Sequence, residues 1–482
     1  MKRGHGEENI VARVARNTFA LTISRIVQVA YGLFTASIIA RYLKVELFGQ
    51  YTFITSIIAV FIPFSYFGMQ RIVIREIARK RDEAGEYLGA VLILRTLLSL
   101  LMIIGITILL RFINLPHEAV IAVYIFALSE IFMSFADVFI SAFISFEKMV
   151  YDLILNMIIS LSGIVAIGSV VFYDLGFVNL FLAILSPSIA ACIVGYVITN
   201  KRFVRPKIRI NYPLWRHIIK ESFPLFISTL FVQAFLRVDV FVLKALRNLA
   251  EVSLFFAPYT LVVRLQMIPQ TIVMAFFPVL SRLAGTDRDS FEKSYEKIFR
   301  LLFILSLPIA VVTMVLADKI ILLFFGSNFK EASISLQILI WAINLTFIET
   351  LLGHVLISLN KQRLLSVIYA LVFFANLLLD IILVPLYGYI GACIGSLAAY
   401  ILRTCLTYYY VSKHTYFLPL QRLIIKPVIS VFIMSIFVYL IKGLNLFLVA
   451  SLSILVYMVT LFLVGDFSKD DIALFKRALN KV

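Results

Sequence analysis

Arginine side chains stand inside stretches of this sequence that are otherwise almost wholly apolar. Arg25, Arg237 and Arg264 each lie in such a stretch; Gln233 precedes Arg237 by four residues, and Arg403 occupies a further apolar stretch. A charge deep in a membrane costs at least about 2.5–3.5 kcal/mol on insertion scales, so each should face protein, water or a counter-charge. The planar guanidinium forms paired hydrogen bonds with phosphate oxygens. These five residues are therefore predicted to bind an anionic, phosphate-bearing ligand.

Three carboxylates occupy similarly apolar positions. Glu130 and Asp137 lie seven residues apart on one polar helical stripe, and Asp380 follows Asn376 by four residues. A carboxylate that loses water inside a cavity tends to hold a proton unless a cation compensates its charge. We therefore predict that at least one of Glu130, Asp137 and Asp380 binds H⁺ or Na⁺. The alternative is that they are counter-ions of the arginines and only hold helices together.

The sequence lacks the motifs of an enzyme. It contains no Gly-rich phosphate loop and no His/Cys spacing typical of a metal site, and its five histidines are scattered. The three cysteines, Cys192, Cys393 and Cys405, all fall inside apolar runs and look like small core residues. We expect no catalytic residues, no metal and no cofactor.

The elements that position these side chains follow from the composition. The chain has 482 residues, of which 62% are hydrophobic and 15% charged, and its mean hydropathy is +1.01. Few water-soluble folds could bury so much apolar surface. The sequence predicts an all-α polytopic membrane protein with about fourteen transmembrane helices of roughly 20 residues each. The spans that matter below are 17–40, 48–69, 252–280, 364–385 and 388–411, and the last is 446–465.

The net charge of +17 gives an orientation. In a soluble chain it would suggest a nucleic-acid partner, but here most loop lysines and arginines fall in alternate loops, so no nucleic acid is expected. Basic loops stay in the cytoplasm. The rule places both termini and residues 200–216 there, and Gly388 outside.

A weak internal repeat suggests two halves. With a shift of 204 residues, FALTIS (19–24) falls on FPLFIS (223–228). We predict an N-lobe at 1–205 with six helices, a cytoplasmic linker at 206–217, a C-lobe at 218–411 with six more, and residues 412–482 holding two further helices and a cytoplasmic tail. The alternative is coincidence between apolar helices.

Three stretches carry a family resemblance: ARYLKVELFGQY (40–51), FGMQRIVIREIA (67–78) and NLLLDIILVPLYGYIGA (376–392). They are similar to the polysaccharide-transporter branch of the multidrug/oligosaccharidyl-lipid/polysaccharide exporter superfamily. The resemblance implies two pseudo-symmetric lobes in a V shape, alternating access, and a flippase that carries an oligosaccharide linked to a polyprenyl phosphate or pyrophosphate to the outer leaflet.

The resemblance also implies a plasma-membrane location in contact with membrane lipid, no enzyme activity, and a monomer. Two related branches remain open as alternatives. One is a peptidoglycan-precursor-type lipid flippase, which also has cavity arginines. The other is a cation-coupled multidrug exporter, which Glu130 and Asp137 would suit and which the arginines oppose.

Overall fold

The structure, a computed structural model, describes residues 4–283, 287–359 and 361–465, so the predicted cytoplasmic tail lies outside the described residues. The described chain is helical, and twelve of its stretches are long and apolar enough to cross a membrane. In chain order the α-helices are α1 Gly4–Tyr66, α2 Met69–Arg79, α3 Ala84–Leu110, α4 His117–Ser145, α5 Val150–Phe172, α6 Phe177–Arg202, α7 Tyr212–Leu246, α8 Leu249–Leu265, α9 Met267–Leu283, α10 Arg288–Val315, α11 Ala317–Phe325, α12 Ala332–Leu339, α13 Trp341–Ser358, α14 Gln362–His414, α15 Leu420–Ile441 and α16 Leu446–Leu463.

Helix α1 is too long to be one crossing. Its 63 residues would extend about 95 Å, against about 30 Å of hydrocarbon. The helix is interrupted at Lys44, where φ is 57° and ψ is −170°. The arm before Lys44 follows α5 in the same direction, since the Asn17 amide donates to the Glu147 carbonyl (2.9 Å) and the Tyr42 hydroxyl donates to the Asp174 carboxylate (2.8 Å).

The arm after Lys44 runs the other way. Phe61 lies beside Gly105 of α3, and the Ser65 hydroxyl lies 2.8 Å from the Ser99 hydroxyl, so this arm is antiparallel to α3. Helices α3 and α5 run in the same direction because α4 lies between them in the chain and joins each through a short loop. Helix α1 therefore folds back on itself, at the junction between the predicted spans 17–40 and 48–69.

Helix α14 also folds back. It has 53 residues and is interrupted at Gly388, where φ is 59° and ψ is −138°. Residues from both of its ends, Lys361 and His414 among them, line one cavity. A Cβ atom on Gly391 would overlap the carbonyl of Leu383, so only glycine lets the two arms approach so closely. The predicted reversal at 385–388 is thus present, while the total of fourteen crossings stays a prediction.

A carboxylate holds the α14 turn. The Tyr389 backbone N–H donates to Glu251 Oε2 (2.8 Å), and Arg247 Nε donates to Glu251 Oε1 (2.9 Å). The Glu251 carboxylate occupies the space that a Cβ atom on Gly388 would need. Any side chain at Gly388 would therefore meet both an unfavourable backbone conformation and a charged neighbour.

The chain divides into two compact units, Met1–Phe241 and Val242–Val482. The boundary lies inside α7, because Ile218 and Phe226 of α7 are buried in the same core cluster as Phe67 and Val91. In the second unit, α15 and α16 pack on α10, where Met434 and Tyr457 are buried. The predicted four-part division at 1–205, 206–217, 218–411 and 412–482 stays a prediction.

The beginning of the predicted linker packs against α3. The Lys207 N–H donates to the Gly85 carbonyl of α3 (2.7 Å), and a Cβ atom on Gly85 would lie 2.7 Å from the Arg205 carbonyl. A Cβ atom on Gly89 would overlap the Lys207 carbonyl. Residues 205–207 therefore lie in a shallow notch that these two glycines leave open on α3.

The notch leads to a first prediction. Gly89→Ala should push the segment off α3, so trypsin should cleave after Lys207 or Arg209 sooner than in the native protein. Gly168→Ala in α5 is the matched control, because a Cβ atom there meets nothing within 4 Å. Proteolysis of the purified protein in detergent measures both. Equal cleavage of the two variants would contradict the notch.

The predicted orientation can be tested at Arg205 and at Tyr387, which adjoins Gly388 and is 58% exposed. In a background without the three native cysteines, Arg205→Cys should resist an impermeant thiol reagent added to intact cells, and Tyr387→Cys should react. The reason is that the basic segment is retained in the cytoplasm. Lysed cells provide the control for reactivity, and labelling of both positions in intact cells would overturn the orientation.

Candidate functional site

A buried ion pair joins α3 and α4 in the first unit. Arg95 Nη2 donates to Asp137 Oδ2 at 2.7 Å, and Nη1 donates to the Ser134 carbonyl. Gln70 Nε2 donates to Asp137 Oδ1, and the guanidinium carbon lies 5.1 Å from the centre of the Tyr66 ring. The Arg95 side chain is 1% exposed and that of Asp137 16%. Removing either partner would leave the other charge buried and uncompensated.

A second pair joins α13 and α14 in the second unit. Arg403 Nη2 lies 3.1 Å from Glu349 Oε2, and the Tyr369 hydroxyl donates to Glu349 Oε1 at 2.9 Å. The Arg403 guanidinium carbon also lies 4.8 Å from the centre of the Tyr400 ring. Tyr369 and Arg403 come from the two arms of α14, so Glu349 ties both arms to α13.

The two pairs have the same composition. Each contains an arginine, a carboxylate on a neighbouring helix, and at least one tyrosine ring beneath the guanidinium. This is the arrangement that the counter-ion alternative describes for Asp137 and Arg403. Their roles in ion coupling and substrate binding stay predictions. Neither Arg95 nor Glu349 was singled out from the sequence, because their partners lie 42 and 54 positions away in the chain.

Arg264 is exposed at a break between two helices. Helix α8 ends at Leu265 and α9 begins at Met267, within the stretch 252–280 that the sequence predicts as one span. Pro269 accounts for the break, since a proline removes the hydrogen bond to the carbonyl four residues earlier and its ring clashes there. The guanidinium lies in the last turn of α8, where a cation interacts favourably with the helix dipole.

The other predicted ligands of the anionic substrate lie on α1 and α7. Arg25 is exposed on α1, and Gln233 and Arg237 are half-buried on α7. These three residues belong to the first unit, whereas Arg264 and Arg403 belong to the second. Each unit thus carries arginines from the predicted set.

A polar cluster next to Arg25 was missed. Ser24 Oγ donates to Asp152 Oδ2 (2.8 Å), and Asn156 Nδ2 donates to Ser24 Oγ (3.0 Å) and Asp152 Oδ1 (3.1 Å). The signal in the sequence is the Asp-x-x-x-Asn spacing inside an apolar run. This cluster fixes the face of α1 from which Arg25 projects.

The remaining predicted carboxylates have different surroundings. Glu130 is half-buried on α4, one side of the stripe that also holds Asp137. Across the described ranges its side chain makes neither a hydrogen bond nor an ion pair, so it differs from Asp137. Asp380 is fully buried, and a Cβ atom on Gly395 would lie 2.6 Å from its Oδ1. Its carboxylate therefore lies against the second arm of α14.

Comparison with known proteins identifies relatives along most of the chain. The family described as Polysaccharide biosynthesis protein matches residues 14–284, and the MatE family matches residues 224–382. A Shigella flexneri protein whose name describes an O-antigen transporter is 23% identical, covering 80% of this chain and 94% of its own. A Haloferax volcanii protein whose name describes a low-salt glycan biosynthesis flippase is 21% identical, covering 83% and 84%.

Solved structures share the fold. The inward closed conformation of the lipid II flippase MurJ superposes with a TM-score of 0.75 at 19% identity, covering 96% of this chain and 99% of that one. An inward-facing multidrug resistance transporter of the MATE family has a TM-score of 0.66 at 17% identity, covering 81% and 98%. Together with the helices of the described residues, these similarities confirm the predicted all-α membrane fold class, while the count of fourteen helices stays a prediction.

The first family match spans more than half of the chain, and the described residues contain twelve apolar helical stretches that could cross a membrane. The chain is therefore a multi-pass membrane protein that belongs to the polysaccharide biosynthesis protein family, the polysaccharide-transporter branch of the multidrug/oligosaccharidyl-lipid/polysaccharide exporter superfamily.

Proposed function

We propose that this protein is a flippase. It carries an oligosaccharide linked to a polyprenyl phosphate or pyrophosphate from the cytoplasmic to the outer leaflet by alternating access. Family membership and the names of the two relatives support a glycan-lipid cargo. The observation that carries the proposal within this chain is Arg264, a cation left exposed at a helix break inside an apolar stretch. The protein acts as a monomer in the plasma membrane, with both termini in the cytoplasm, and is not an enzyme.

The arginines of the predicted set have different roles in the proposed mechanism. Arg25, Arg237 and Arg264 bind the phosphate, helped by Gln233, because a guanidinium can make a charge-assisted, two-pronged contact with it. Arg403 is already paired with Glu349 and is 12% exposed, so it shapes the site on α14 instead of contacting phosphate first. A multidrug exporter, whose cargo is cationic, would be poorly served by exposed arginines.

A lipid II-type flippase is the second candidate. The structural similarity to the lipid II flippase covers 96% of the chain. Its cargo also carries a phosphate-bearing lipid, so the arginines serve either function equally. Parallel flipping assays with the two fluorescent lipids would separate the candidates, because only the true cargo should be moved at a high rate.

Coupling to an ion is proposed for the carboxylates. Glu130 is the first choice for H⁺ or Na⁺, because Asp137 is neutralised by Arg95 while Glu130 has no such partner in the described chain. Asp380 is the second choice, since it is fully buried in α14, the helix that reverses its direction at Gly388.

Substitution of Arg264 tests the substrate site. Losing a hydrogen bond to a charged group costs about 1.5–3 kcal/mol, so Arg264→Ala should slow flipping by roughly 10- to 100-fold or more. Arg264→Lys should be intermediate, because it keeps the charge and loses the fork. Proteoliposomes with a fluorescent lipid-linked oligosaccharide provide the measurement.

Arg111→Ala is the matched control, since Arg111 is an exposed cation at the end of α3. Its flipping rate should equal that of the native protein. If Arg264→Ala reaches the membrane and flips the lipid at the native rate, the proposed cationic site is wrong and drug export is favoured.

Substitution of Glu130 tests ion coupling. Glu130→Gln should remove the dependence of transport in vesicles on a pH or Na⁺ gradient while leaving the melting temperature unchanged. Asp137→Asn should instead lower the melting temperature, since an uncompensated buried Arg95 costs about 3–5 kcal/mol. Coupling at Glu130 is wrong if native transport ignores both gradients, or if Glu130→Gln still responds to them.

A further inference from the structure

A cavity of about 480 Å³ opens where the two ends of α14 meet. Its lining comes from the start of the helix, Lys361 to Leu364 and Val367, and from its end, Tyr410 and His414. All of these residues belong to the second unit. The cavity lies on the side that the charge pattern predicts to be cytoplasmic.

The cavity is cationic and its charges are uncompensated. Lys361 and Arg363 are exposed, and within 4–283, 287–359 and 361–465 neither side chain makes an ion pair or a hydrogen bond. His414 and the Tyr410 hydroxyl add two polar groups from the opposite end of the helix, and no carboxylate lines the cavity. Several donors converging on a concave site without an acid are suited to a phosphate.

An apolar stripe leads away from the cavity. Val367, Leu371, Phe374 and Leu378 follow Arg363 at helical spacing, and they are 55%, 55%, 58% and 60% exposed. The distance from Val367 to Leu378 along the helix is about 16 Å, at 1.5 Å per residue. The exposed apolar face continues with Ile382 and Leu386, which are 51% and 68% exposed, so the stripe follows the first arm of α14 to its end.

We propose that the cavity binds the phosphate of an anionic glycerophospholipid from the membrane, whose acyl chain lies along this stripe. The cations that line the cavity favour a lipid with a net negative headgroup, and the apolar stripe that begins at Val367 receives its acyl chain. The bound phosphate bridges Lys361 and Arg363 on the first arm of α14 to His414 on the second. It thereby holds together the helix that carries Asp380 and Arg403, and it would do so whatever cargo the protein moves.

The test uses the purified full-length protein and its melting temperature in detergent. Added phosphatidylglycerol should raise the melting temperature in a saturable way, and phosphatidylcholine with the same acyl chains should not. In Lys361→Gln/Arg363→Gln the phosphatidylglycerol concentration for half-maximal effect should rise at least about tenfold, since each charge-assisted contact is worth that much. Gln362→Glu, which adds an acid to the lining at nearly unchanged size, should weaken the effect as well.

Lys293→Gln/Lys330→Gln is the matched control, because it removes the same charge from exposed positions of the second unit outside the cavity. It should respond to phosphatidylglycerol like the native protein. An equal response of the cavity variant and the control would overturn the proposal. An equal stabilisation by millimolar inorganic phosphate would also overturn it, because it would show that the cavity binds a soluble anion. So would stabilisation by an added lipid-linked oligosaccharide but not by phosphatidylglycerol, because it would show a substrate site.

Discussion

The cost of an uncompensated charge in apolar surroundings is the constraint on which this structure depends. Each unit answers it with one arginine–carboxylate pair whose guanidinium also lies against a tyrosine ring: Arg95 with Asp137, and Arg403 with Glu349. Both pairs join helices that are consecutive in the chain, although the paired residues lie 42 and 54 positions apart. Because breaking either pair would strand a buried charge, each pair specifies which helices are neighbours. A mostly apolar interface could slide along a neighbour with little penalty, whereas these interfaces have a preferred register.

The same constraint separates two kinds of arginine. Arg95 and Arg403 are almost inaccessible, and each directs a guanidinium N–H towards a carboxylate. Arg25 and Arg264 are exposed, one beside the Ser24–Asp152–Asn156 cluster and one at a helix break caused by Pro269. Exposed cations in apolar helices are expensive unless they face water or an anionic ligand. This difference in accessibility is the basis of the proposal that some arginines hold helices together while others bind a phosphate.

The need to satisfy backbone hydrogen bonds explains how the helices are connected. In an apolar medium every backbone N–H and C=O needs a partner, so the chain reverses over very few residues. Lys44 and Gly388 each interrupt a long helix at a single position. Close approaches then depend on missing side chains, as at Gly391 between the arms of α14 and at Gly89 beneath residues 205–207. Alanine at these positions would push backbones apart.

The sequence by itself determined the class of protein, the solvent and much of the helix pattern. Composition and hydropathy suffice because a chain so apolar has few alternatives to membrane helices, and the turn at Gly388 is marked by local residues. It could not pair Asp137 with Arg95 or Glu349 with Arg403, since partners chosen by packing leave no local pattern. The amphipathic helix α2 entered the sequence analysis only as part of the motif FGMQRIVIREIA, and its burial of Val73 and Ile77 depends on α3, α4 and α7. Tertiary packing likewise decided that the boundary between the units lies within α7. Ile218 and Phe226 bury their side chains in the core of the first unit, so the first part of α7 belongs to that unit and the boundary does not fall in a loop.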